Sequence, residues 1–139
     1  RHERVCRGHL KVLAPQHQAH FHDHQDAEHR PERKIAPEPL ADAVEIQDAG
    51  ARLLVLECIP SHLAADISRK LDIPVIGIGA GPDTDGQVLV MHDLLGLSQH
   101  TARFVQNFME GQSTIPDGLR AFVNAVKSGQ YPQEAHTYN

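Results

Sequence analysis

With 139 residues, 40% of them hydrophobic, the chain is long enough to bury the core of one domain. A net charge of −5 gives no electrostatic reason to expect nucleic acid or an anionic membrane as partner. No apolar run approaches the ~20 residues of a membrane span, and no charged-then-apolar signal segment opens the chain. The two cysteines, Cys6 and Cys58, sit far apart in dissimilar contexts, which argues against a disulfide framework and for a reducing cytoplasm.

The N-terminal part is compositionally odd. The chain begins with Arg rather than Met, as a fragment would, and seven of its eleven histidines fall within the first 29 residues. Residues 16–39, QHQAHFHDHQDAEHRPERKIAPEP, hold hardly any apolar residue and show neither a period of 2 nor one of 3.6. Such a stretch cannot bury enough surface to offset the entropy of ordering. Residues 1–40 are therefore expected to be a disordered or degraded segment, and residues 41–139 the folded domain. His17, His20, His22, Asp23, His24, Asp26 and His29 are crowded enough to bind zinc or nickel to some degree. They have no ligand spacing of a helix or hairpin, and a translation in a shifted reading frame would look the same.

The next elements are regular. Leu54-Val55-Leu56-Glu57-Cys58-Ile59-Pro60 is an apolar strand with one charge, Glu57. Ser61 is placed to cap a helix whose apolar positions Leu63, Ile67 and Leu71 recur every four residues, with Asp66, Arg69 and Lys70 on the other side. Asp72 and Pro74 stop it, because proline disfavours the α region for the residue before it. A second apolar run follows, Ile73-Pro74-Val75-Ile76-Gly77-Ile78-Gly79-Ala80-Gly81. Both runs are continuous rather than alternating, which predicts parallel strands buried on both faces. The three elements form a βαβ unit. Further on, residues 81–86 are a turn cluster and residues 87–91 a short strand ending at His92-Asp93. Ala102, Val105 and Met109, with Phe104 and Phe108, predict a helical face. A last helix runs from Asp117, as cap, through Leu119, Phe122, Val123 and Val126 to Gly129 at C′.

Desolvating a charge in an apolar segment costs several kcal/mol unless it is paired or neutralised. The residues alone leave two readings of Glu57 open: a strand-end carboxylate paired or solvated elsewhere, or a general base. The run Gly77-Ile78-Gly79-Ala80-Gly81 is neither GxGxxG nor a P-loop, since no Lys-Ser or Lys-Thr follows. It predicts a strand end turning tightly beneath a ligand, not a nucleotide site. A small dinucleotide-binding domain is disfavoured for the same reason.

Residues 50–97, GARLLVLECIPSHLAADISRKLDIPVIGIGAGPDTDGQVLVMHDLLGL, resemble the ketopantoate hydroxymethyltransferase family. The resemblance continues through Phe104-Val105-Gln106-Asn107-Phe108 and closes with Ser128-Gly129-Gln130-Tyr131-Pro132. It implies an α/β fold that is the C-terminal portion of an incomplete (β/α)8 TIM-type barrel. It also implies transfer of a hydroxymethyl group from 5,10-methylenetetrahydrofolate to 3-methyl-2-oxobutanoate, giving 2-dehydropantoate, in pantothenate biosynthesis. In that family the glutamate of the matching LECxP segment accepts the proton, and here it is Glu57. Val5-Cys6-Arg7-Gly8-His9-Leu10 and Ala14-Pro15-Gln16 resemble the family strand carrying Gly-His-Leu-Gly-Leu-Thr-Pro-Gln, which makes His9 a substrate-binding residue.

The family also implies Mg2+ as Lewis acid for the developing enolate, and a homo-oligomer. Its magnesium ligands and its substrate-binding Asp-Ser and Lys belong to earlier strands. These metal ligands are expected to be absent from this chain, which alone is expected to be inactive. A full (β/α)8 barrel takes about 250 residues. The competing account is a non-catalytic half-barrel remnant acting as a structural or interaction module.

Overall fold

In the computed structural model, residues 9–12 and 39–138 are described. Four strands form one sheet in the order β1-β2-β3-β4: β1 (His9–Val12), β2 (Leu54–Glu57), β3 (Val75–Ile78) and β4 (Gly86–Gln87). β2 and β3 run parallel, as the two apolar runs predict, and β4 is parallel to β3. β1 lies antiparallel against β2, which departs from the all-parallel order of a barrel. The described residues thus build a mixed α/β sheet, and the His-rich tract at residues 17–29 lies outside them.

Helix α1 (Pro39–Asp48) was not foreseen from the pattern. Proline suits its first turn, where the missing N–H has no intrahelical role. Ala43 is fully buried, and Leu40, Val44 and Ile46 pack against the same cluster. The chain leaves through Gly50 at φ 96, with Ala51 N–H donating to Ile46 O. Gln47 then reaches forward to the turn before β3: its Oε1 accepts from Asp72 N–H at 2.7 Å and Ile73 N–H at 3.2 Å.

Helix α2 (Ser61–Lys70) links β2 and β3 as expected, with Ile67 and Leu71 buried and Asp66, Arg69 and Lys70 exposed. Ser61 does not cap it. Pro60 holds the cap position, and no side chain bonds the first turn. With α1 it covers one sheet face, where Leu54, Leu56, Val75, Ile59 and Ala64 make the first core cluster.

The opposite face carries the second cluster, in which Ile78, Leu89, Leu94, Phe104, Phe108 and Tyr131 are buried. Burial on β2 alternates: Leu54 and Leu56 are fully enclosed, while Val55 and Glu57 are half-buried. Both faces are thus covered, as expected, although on β2 the second face is enclosed less fully than the first. The predicted strand at residues 87–91 is corrected, since β4 ends at Gln87 and helix α3 (Met91–Leu94) starts where that strand would finish. Residues 101–111 are turns, not a helix. Phe104 and Phe108 are buried, but as anchors of irregular chain held by bonds such as Phe108 N–H to Leu94 O. Helix α4 (Ile115–Lys127) begins earlier than Asp117, because Thr114 caps it by accepting from Asp117 N–H. Gly129, at φ 70, follows the C-cap Ser128 as predicted.

Candidate active site

The carboxyl ends of β2 and β3 meet at one level of the sheet. Glu57, the last residue of β2, is in register with Ile78, the last residue of β3. The next residue on each strand is left-handed: Cys58 has φ 54 and Gly79 has φ 65. Open parallel sheets and parallel barrels both bind ligands beyond the carboxyl ends of their strands, so this level is the candidate site.

Glu57 shares a strand face with Val55, two residues back, and Val55 packs against the second cluster. Glu57 itself is half-buried. Such a group can take a proton from a bound substrate. The His9 Cα is the register partner of Glu57 across the antiparallel β1–β2 pair.

The glycine-rich run turns tightly, as expected. A Cβ on Gly79 would lie 2.5 Å from Phe104 Cδ1, and one on Gly81, at φ 82, would lie 2.5 Å from Ser61 Cβ. Glycine is required at both places for conformation and for room. Phe104 thereby sits on the backbone at the end of β3, and Ser61 on the turn that follows. The turn is braced from within, because Gln87 Nε2 donates to Gly81 O and Thr84 Oγ1, both at 2.9 Å. Thr84 Oγ1 in turn donates to Gly86 O at 2.9 Å.

Residues near the C-terminus close over this level, a contribution the sequence pattern did not disclose. Tyr138 O accepts from Ser61 N–H at 2.9 Å, at the start of the helix that follows Glu57. The Tyr138 ring meets Phe104 edge-on at 6.5 Å between centroids. Tyr131 Oη donates to Phe104 O at 2.6 Å, and burial pushes this phenol well above its ordinary pKa. Arg103 Nε donates to Ala135 O at 3.0 Å. Phe104 is thus held by Tyr131 and Tyr138 while it covers Gly79.

Among the described residues no group of three or more His, Cys, Asp or Glu side chains could hold a metal ion. The described residues do not by themselves fit the Mg2+ that the resemblance implies. Likewise among the described residues, no helix is long and apolar enough to cross a membrane.

A family model described as ketopantoate hydroxymethyltransferase matches residues 5–134. Among curated proteins, the chain is 54% identical over 101 residues to a 3-methyl-2-oxobutanoate hydroxymethyltransferase of Pseudomonas fluorescens, covering 71% of this chain and 38% of that protein. A protein of the same name from Edwardsiella ictaluri is 49% identical over 109 residues, covering 78% and 41%. Another from Staphylococcus saprophyticus is 55% identical over 107 residues, covering 76% and 39%. The chain therefore spans about two-fifths of the length of these relatives.

Proposed function

Because this chain belongs to the ketopantoate hydroxymethyltransferase family, we propose that it carries the proton-accepting part of a 3-methyl-2-oxobutanoate hydroxymethyltransferase. The observation that carries the reading is the place of Glu57: a half-buried carboxylate at the carboxyl end of a parallel strand, inside the matched segment. The reaction we assign consumes 5,10-methylenetetrahydrofolate, water and 3-methyl-2-oxobutanoate: the one-carbon unit bonds to C3 in place of its hydrogen, water supplies the hydroxyl oxygen, and 2-dehydropantoate and tetrahydrofolate are released. Glu57 takes the C3 proton, and the enolate carbon left behind attacks the one-carbon unit. Phe104, seated on Gly79, packs against the end of β3 beside this level. His9, opposite Glu57 in register, is proposed as a substrate-binding residue.

The fold we propose for the complete domain is a (β/α)8 barrel containing the β2–α2–β3 unit. The parallel order of β2, β3 and β4 supports it. The 139-residue polypeptide by itself is expected to be inactive, since one base without electrostatic stabilisation of the enolate supplies only a small part of the rate.

The test uses a hybrid, the full chain completed with the portion of the Pseudomonas fluorescens relative that it does not match. Exchange of the C3 hydrogen of 3-methyl-2-oxobutanoate with D2O reports proton abstraction without the folate. The hybrid should catalyse this exchange, and Glu57→Gln should nearly abolish it. Undiminished exchange in the Gln variant would show that another group takes the proton.

A further inference from the structure

Side chains on a strand alternate between faces. On β2 the rule holds through Glu57: Leu54 and Leu56 belong to the cluster under α1 and α2, and Val55 packs toward the opposite cluster. The next residue should return to the α1–α2 side. Cys58 does not. It is buried in the same cluster as Ile78, Leu89 and Phe104, on the Val55 and Glu57 side, and Ile59 is the residue that returns.

The backbone explains this. Cys58 is the sole non-glycine residue at positive φ among the described residues. One left-handed residue inserted after Glu57 breaks the alternation, so two consecutive side chains share a face. A residue with a Cβ adopts that conformation only where its surroundings over-determine it. Here they act from two directions. Cys58 N–H donates to Ile78 O at 2.9 Å, which carries the β2–β3 ladder one bond past Glu57. Cys58 is 8% exposed within the second cluster.

The neighbouring strand has the same bend at the same level, but made with Gly79, where the Phe104 ring leaves no space for a Cβ. Glycine at 58 would adopt the bend without penalty and would also leave it loose. Cysteine gives a small apolar side chain that can be buried and so pins the bend.

We propose that Cys58 is a positioning residue for Glu57: its left-handed backbone, pinned by its buried side chain, fixes the direction in which the Glu57 carboxylate meets the substrate. The proposal rests on the assignment of Glu57 as base. It makes the backbone conformation at 58, rather than the chemistry of the thiol, the property that the reaction uses. A β-branched residue at 58 resists the left-handed region most strongly. It should tilt the carboxylate without removing it.

The test is kinetic and uses the hybrid described above with 3-methyl-2-oxobutanoate in D2O. Cys58→Val should lower kcat for C3–H exchange by about 10²-fold with KM little changed, the scale expected for an ångström of misplacement. Placed in Glu57→Gln, Cys58→Val should cause no further loss, because a residue that acts through Glu57 has nothing left to position. Cys58→Gly and Cys58→Ala supply a second comparison for the case in which the Val variant does not fold. Gly should retain more activity than Ala, although Ala is nearer to Cys in size.

Undiminished exchange in Cys58→Val overturns the proposal. So does a loss that multiplies with that of Glu57→Gln, or an Ala variant more active than Gly. Undiminished exchange in Glu57→Gln alone instead overturns the base assignment, and that result is visible before any substitution at 58 is read.

Discussion

Asp85 takes hold of Val75 at both ends of its peptide: Asp85 N–H donates to Val75 O at 2.9 Å, and Asp85 Oδ2 accepts from Val75 N–H at 2.8 Å. A side chain thus completes the start of β3, just before the β4 residues Gly86 and Gln87 take up the pairing. Val75 is fully buried, so its N–H has no ready substitute partner. Asp85→Ala should destabilise the fold by about 1–3 kcal/mol, the cost of stranding a buried donor. Asp85→Asn, which keeps an acceptor oxygen, should cost less. Urea unfolding of the two variants checks this, and equal midpoints for Ala and wild type would refute it.

The pairing of Gly79 with Phe104 gives a larger effect. Gly79→Ala adds a Cβ 2.5 Å from the Phe104 ring at a left-handed φ of 65. Backbone strain and overpacking together should cost about 2–4 kcal/mol. Gly111→Ala is the control: its φ is 74 but no atom lies within 4 Å of the added Cβ, so the backbone cost of about 1 kcal/mol should stand alone. Similar losses in the two variants would show that the Phe104 contact is soft.

For the hybrid enzyme, Glu57→Gln should lower kcat by about 10²–10⁴, the usual worth of a positioned general base, and change KM little. Overall transfer from 5,10-methylenetetrahydrofolate and C3–H exchange should fall in parallel. A variant that loses transfer but keeps exchange would place the role of Glu57 after proton abstraction.

His136 predicts a pH dependence. Burial lowers its pKa below the ordinary 6.5, and its Nδ1 accepts from Gln133 N–H at 3.1 Å, which requires the unprotonated nitrogen. The unfolded chain therefore binds this proton more readily than the folded one. The contribution is fully present above pH 6.5 and is lost as pH falls from there through the lowered folded value. His136→Asn offers an acceptor that does not titrate, so its melting temperature should fall less than that of the wild type between pH 7 and 5. Parallel declines would exclude His136 as the source.

The βαβ unit was legible because its signals are local. Two apolar runs flank a four-residue repeat, and Pro60 and Pro74 mark the boundaries. Phe104 and Phe108 misled because residues four apart also serve as anchors of a turn, and spacing alone does not distinguish the two uses. Residues 87–91 read as a strand because Val88, Leu89 and Val90 favour one, yet pairing stops at Gln87 and Met91 opens a helix. Helix α1 escaped notice beside the polar tract that precedes it. Glu57 stood out as a charge among apolar neighbours. The left-handed turn beside it did not, since a cysteine carries no local signal for positive φ, and the bend is enforced by the bond to Ile78 and by the cluster around it.

The bond from Ser61 N–H to Tyr138 O also bears on how the molecule assembles. The β2–α2–β3 unit is built from close neighbours in the chain and is able to form early. The entry to α2 is completed by a residue more than half the chain away, and closing so long a loop is slow. The segment just after Glu57 should therefore be the last part of the unit to become rigid. During synthesis the strand that bears the carboxylate would emerge and pair well before its mouth acquires a fixed shape, and that shape would arrive only when residues 131–138 dock.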